Sequence, residues 1–130
     1  MKYIIANWKS NHSINSAHLW FEQFAEGMLS NQLLENENLE AAIALPFTLL
    51  VPGSVFMEEM DHPRLKLAAQ DISAFGIGAF TGEVSEENLE GLDVDYVIVG
   101  HSERRRLLNE NEEMVAKKIK VKVLEVDREK

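Results

Sequence analysis

Tyr96-Val97-Ile98-Val99-Gly100-His101-Ser102-Glu103-Arg104-Arg105 is the stretch around which the chain is organised. A short β-branched run ends at a glycine, and a histidine, a serine and charged residues then open a helical segment, so His101 sits where a strand hands over to a helix. Backbone N–H groups in a first helical turn lack intrahelical partners; they favour anions and disfavour a proton on a neighbouring imidazole. A neutral His101 that donates from a ring nitrogen reads as an electrophile and not as a base. Taken as an isolated tripeptide, Gly100-His101-Ser102 equally fits an ordinary strand–turn–helix that happens to carry a histidine.

The bulk properties narrow the classes. The 130 residues amount to one domain by length, but an eight-stranded β/α barrel typically takes ~250. Thirteen basic against 22 acidic residues give a net charge of -9, which repels nucleic acid and anionic membranes, so neither is expected as a partner. Without cysteine there is no disulfide framework and no thiolate metal site, which fits a reducing compartment or simple chance. The apolar run from Met1 to Ala6 stops at Asn7, far short of a signal sequence or a membrane span. A cytoplasmic location is the expectation.

Residues 2 to 9 read as a buried strand, with Tyr3, Ile5, Asn7 and Lys9 on one face and Ile4, Ala6 and Trp8 on the other. Polar groups confined to one end of one face suggest a site there, or else mere solvation of a strand end. Asn11 to Ser16 offers helix caps, and Ala17, Trp20, Phe21, Phe24 and Met28 recur at helical spacing as a core stripe. Ala41 to Leu45 is a second strand ending at Pro46, and Thr48 is placed to cap a helix carrying Leu49, Leu50, Val55 and Phe56, although Pro52 and Gly53 weaken it. His12, His18 and His62 read as solvated residues, and no metal site is expected. A third strand, Leu65 to Gln70, leads into a loop with glycines at 76, 78 and 82 and an apolar tip of Phe75, Ile77 and Phe80. Ser85 is suited to cap a short helix, though Asn88 stands where a capping box would want Glu or Gln. The fourth strand runs from Asp93 to Gly100 with Val97, Val99 and His101 on one face. Asn109 or Asn111 then caps a helix carrying Met114, Val115, Ala116 and Ile119, with Lys117, Lys118 and Lys120 near its far end. Such alternation implies a parallel sheet with right-handed crossovers.

Val99-Gly100-His101-Ser102-Glu103-Arg104-Arg105 resembles the fourth-strand signature of the triosephosphate isomerase family. Two other blocks agree: Ala6-Asn7-Trp8-Lys9 resembles the family's first-strand motif, and Ala69-Gln70-Asp71 through Gly78-Ala79-Phe80-Thr81-Gly82-Glu83-Val84-Ser85 resembles its third loop. The resemblance covers about residues 1–120 and implies an α/β fold, the first four β/α units of a (β/α)8 barrel, with 121–130 as a divergent charged tail. It implies interconversion of dihydroxyacetone phosphate and glyceraldehyde 3-phosphate, an isomerase reaction of glycolysis and gluconeogenesis, without a cofactor. By the same resemblance, Lys9 neutralises charge on the phosphate and the developing enediolate, Asn7 orients substrate, and His101 polarises the carbonyl. Ser102 anchors the helix turn and Glu103 lies near Lys9. The third loop reaches a second subunit in the family, which places Phe75, Thr81, Glu83 and Arg104 at a homodimer interface, Glu83 pairing with the partner copy's equivalent of Arg104.

The family's catalytic glutamate, mobile lid and phosphate-binding loops belong to strands five to eight, and no substitute for that base stands out in these residues. The expectation is therefore a truncated chain with little or no turnover alone. A half barrel also leaves inward residues such as Ile5, Val97 and Val99 wet and two strand edges unpaired, which predicts self-association or partial disorder. The competing expectations are a non-catalytic module completed by itself or by a partner chain, and a small protein that binds a phosphate-type anion through Lys9 and the turn at His101.

Overall fold

The computed structural model describes the backbone of residues 1–31 and 33–129 and the side chains of 1–29 and 34–121. Four strands, β1 (Lys2–Asn7), β2 (Leu39–Leu45), β3 (Leu65–Ala69) and β4 (Val94–Val97), form one parallel sheet in the order β1-β2-β3-β4. The connections carry α1 (Ile14–Asn31), α2 (Leu50–Met60) and the short α3 (Glu86–Leu89), and β4 is followed by α4 (Ser102–Leu107) and α5 (Glu112–Glu129). This is the architecture of the first four units of a (β/α)8 barrel.

Register divides the sheet into two faces. Ile43 and Leu45 of β2 and Leu65, Leu67 and Ala69 of β3 join Phe21, Leu49, Leu50 and Phe56 of the helical layer in one apolar core. The α1 stripe behaves as its spacing requires: Ala17 and Phe21 are buried, while Trp20, Phe24 and Met28 pack at the margin of that core. Two features that weakened the α2 expectation have local explanations. Pro52 falls in the first turn, where its missing N–H costs no helical hydrogen bond. At Gly53 a Cβ would lie 2.5 Å from Leu45 Cδ1, so the helix approaches the sheet this closely only because the side chain is absent. Thr48 does not cap the helix: it lies inside a 3-10 turn, Phe47–Leu49, and Leu49 occupies the cap position without a side-chain bond. Val55, expected in the core, is exposed.

The other face is open. By register it carries Tyr3, Ile5 and Asn7 of β1, Glu40, Ala42 and Ala44 of β2, Lys66 and Ala68 of β3, and Tyr96 of β4. The expectation that residues 2 to 9 form a buried strand is corrected: β1 is an edge strand, and Tyr3, Ile4 and Ile5 are 61%, 50% and 58% exposed. Val97 and Val99 are corrected too, since both pack against the helix-covered core. At the N-terminal end of the open face, the Tyr96 hydroxyl donates to Glu40 Oε2 at 2.7 Å. That bond chiefly, with burial and the carboxylate's charge, pushes the phenol up to about 12.

Strand β4 is shorter than the sequence suggests, and its register slips between Leu67 and Ala68. Asp95 is the extra residue of the resulting bulge, and its carboxylate accepts the Leu67 N–H at 3.0 Å. Asn88 closes the capping box of α3 after all: its Oδ1 accepts the Ser85 N–H at 2.8 Å while its own N–H reaches Ser85 Oγ at 3.4 Å. An amide oxygen does here what a carboxylate would do. Asn111, not Asn109, accepts from the first turn of α5 through Met114 N–H. That helix continues to Glu129, so the lysines at 117, 118 and 120 sit mid-helix and not at its end.

Candidate active site

The site lies at the C-terminal ends of β1, β3 and β4, the end of a parallel β/α sheet where side chains from several strands converge. Asn7 ends β1 on the open face. The next residue, Trp8, turns outward into the core against Trp20 and Phe21, while its N–H continues the ladder to the Ala44 carbonyl at 3.0 Å. Lys9 then adopts a left-handed φ of 56°, and its N–H donates to Asn7 Oδ1 at 2.9 Å. A non-glycine residue there costs about 1–2 kcal/mol, strain of the sort that collects where a side chain must be aimed. The lysine ammonium meets Glu103 Oε1 at 2.6 Å.

Glu103 comes from the other end of the described sheet. After β4 the backbone reverses at Gly100, whose φ is 70°, and His101 becomes the N-cap of α4. Its Nδ1 accepts the Glu103 N–H at 3.1 Å. An imidazole that accepts on Nδ1 and is neutral carries its proton on Nε2. The Lys9 hydrogen bond holds the Glu103 carboxyl below the usual carboxylate range, against a smaller opposing effect of burial.

Asn7, Lys9, His101, Glu103 and Arg104 line one cleft of about 370 Å³, walled by Pro46, Phe47, Ile98, Leu107 and Leu108 and completed by Gln70 and Asp71. Gln70 is fixed by donating from Nε2 to the Ala44 carbonyl at 3.0 Å. Ser102 is exposed as the first residue of α4, outside the cleft lining. Phe75, Thr81 and Glu83 lie elsewhere, on the loop after β3, where Phe75 stacks on Phe80 at 4.6 Å. Arg104 is separated from them and paired within the chain, to Asp71 Oδ2 at 3.1 Å and Glu110 Oε2 at 2.9 Å.

Sequence reasoning did not single out Lys118 or Glu110. Lys118 is buried, its Nζ 2.7 Å from Asp71 Oδ1 and 2.8 Å from Glu110 Oε2. Burial raises the Glu110 carboxyl, but the hydrogen bonds from Lys118 and Arg104 outweigh it and leave the group below its ordinary value. A signal was present: Lys118 falls on the helical line of Val115 and Val121, the face of α5 that turns inward. Both carboxylates that line the cleft, Asp71 and Glu103, are engaged by cations. Among the described residues, then, the cleft offers donors, cations and an imidazole but no unpaired carboxylate.

The fold is thus a parallel β/α half barrel of the (β/α)8 class, with an amide, an ammonium and an imidazole gathered at its C-terminal rim. A sequence model described as triosephosphate isomerase matches residues 2–125, and the chain belongs to the triosephosphate isomerase family. It is similar to the triosephosphate isomerase of Polynucleobacter asymbioticus, 40% identical over 115 residues that make up 88% of this chain and 44% of that protein. It is similar also to those of Mycoplasmopsis pulmonis, at 37% over 92% of this chain and 48% of the relative, and Alkaliphilus metalliredigens, at 38% over 90% and 44%. The chain spans about half the length of the curated relatives it matches. Among the described residues no helix is long and apolar enough to cross a membrane.

Proposed function

We propose that these residues form the electrophilic half of a triosephosphate isomerase site, contributing to the interconversion of dihydroxyacetone phosphate and glyceraldehyde 3-phosphate. The observation that carries the reading is the shared cleft of Asn7, Lys9 and His101, with His101 Nδ1 occupied by a backbone N–H. In that arrangement the Nε2 proton is the one available to a substrate carbonyl oxygen, Lys9 offsets charge on the phosphate and enediolate, and Asn7 orients the substrate. The neutral histidine as electrophile is the family's own pattern, carried over to this chain by resemblance. Removing a proton next to the carbonyl needs a free base, and the paired states of Asp71 and Glu103 argue against either serving. With both cleft carboxylates paired, the described residues by themselves bind a phosphate-type anion weakly and supply no base for rapid turnover, a lack that costs at least ~100-fold in rate.

Titration with phosphoglycolate, followed by amide and ring-nitrogen resonances, tests this. Shifts clustered at Asn7, Lys9 and His101, weakened about tenfold or more by Lys9→Ala, are expected. Binding that leaves these resonances untouched, or that survives Lys9→Ala, overturns it. A second reading, self-association or completion by a partner chain, is favoured by the open face of β1 and by the loop tip, where Ile77 is 76% exposed. In that reading Phe75, Thr81, Glu83 and Arg104 serve an interface between copies. Sedimentation velocity across a dilution series distinguishes the two, because a concentration-independent monomer removes the second reading.

A further inference from the structure

The buried ion ring behind the cleft does more than fill space. Helix α4 has six residues and buries none of them. Isolated helices need roughly 12–15 residues to be even marginally stable, so α4 is held by its side-chain bonds. Arg104 supplies the main ones, to Asp71 on the β3 loop and to Glu110 before α5. Lys118, on the long helix α5, bonds to those same two carboxylates. Two cations and two anions thus close a ring, and α4 is referenced through it to both β3 and α5.

We propose that Lys118 is a positioning residue: by closing the ring with Asp71, Arg104 and Glu110 it holds α4 where the Glu103 N–H meets His101 Nδ1, and so selects the ring nitrogen that presents a proton to the cleft. The link is short. Arg104 directly follows Glu103, and the Arg104 and Arg105 N–H groups both bond to the His101 carbonyl, at 2.9 and 3.1 Å. Removing Lys118 leaves two buried carboxylates to share one guanidinium. An uncompensated buried charge is strongly unfavourable, so Arg104 and its helix shift to re-pair or to admit water. The 3.1 Å bond at Nδ1 is the first to lengthen, because it joins a cap to a turn with no apolar anchor. The use made of that proton rests on the function proposed above; the coupling itself does not.

Two-bond ring 1H–15N correlation spectra of the 15N-labelled protein, recorded at mildly alkaline pH without ligand, report the tautomer of each histidine. The chain has four, which include a built-in control: His62 Nδ1 also accepts a backbone N–H, from Arg64 at 3.1 Å, away from the ring. In the unmodified chain His101 is expected as the Nε2–H form. Lys118→Met should move its tautomer ratio toward Nδ1–H by about threefold to tenfold, the worth of one net hydrogen bond, and leave His62 unchanged. Should Lys118→Met fail to fold, Asp71→Asn keeps Lys118 paired with Glu110 and reads the same coupling. An unchanged His101 ratio in a folded variant overturns the proposal, and so does an equal change at His62, which would mark general loosening. Failure of the isomerase reading would appear separately, as loss of the phosphoglycolate response with the ring-nitrogen result intact.

Discussion

Substituting Gly100 tests how the chain aims its histidine. Gly100 has a φ of 70°, and a Cβ added there would lie 3.0 Å from an Arg105 guanidinium nitrogen and 3.1 and 3.2 Å from the two γ-methyls of Val115. The left-handed backbone costs an alanine about 1–2 kcal/mol. Crowding costs about 1–3 kcal/mol in a packed core, and the lower end applies because the Arg105 tip can swing away while buried Val115 cannot. Loss of freedom in the unfolded chain returns about 0.4–1 kcal/mol. Gly100→Ala should therefore destabilise by about 1–2.5 kcal/mol. Urea unfolding followed by the fluorescence of Trp8 and Trp20, both in or against the core, measures this as a fall in midpoint of roughly 1 M. Gly91 separates the two contributions: its φ is 80° but nothing lies within 4 Å of an added Cβ, so Gly91→Ala carries the backbone cost alone. Equal losses at the two positions refute the packing argument, and no loss at Gly100 refutes the backbone argument as well.

The same contrast operates within helices. Gly53→Ala drives a Cβ to 2.5 Å from Leu45 Cδ1 and 3.3 Å from Leu67 Cδ1, both fully buried, and should lower the melting temperature despite alanine's better helix propensity. Gly27→Ala in α1 meets nothing within 4 Å and should gain about 0.5–1 kcal/mol. For the ion ring, Glu110 has a folded-state pKa below its unfolded one, so its contribution is complete above about pH 5 and disappears as the pH falls through the depressed value. Unfolding free energies across the acid range should thus fall less steeply in Glu110→Gln than in the unmodified chain; parallel pH profiles would contradict this.

The placement of Asn7, Lys9 and His101 at one rim was legible because strand ends and helix caps are local features. Asn7 and Lys9 follow a β-branched run, His101 follows a glycine, and a parallel sheet brings such positions to one rim whatever its remaining details. The α1 stripe and the β/α alternation were readable for the same reason, since each is a periodicity within one element. Faces and exposures were less so. Val97 and Val99 turned to the helix layer because the bulge at Asp95 and the reversal at Gly100 reset the alternation that would have carried His101 with them. Ile4 and Ile5 look like core residues in any window of sequence, yet they are exposed because an edge strand has neighbours on only one side.

The amino-acid order by itself determined which elements form and which polar side chains stand at their ends, since hydrogen bonding and side-chain periodicity act over a few residues. The tertiary structure alone decided that Lys118 is an interior cation. Its partner Asp71 lies 47 positions away, and charge neutralisation across that distance depends on how helix and sheet pack together.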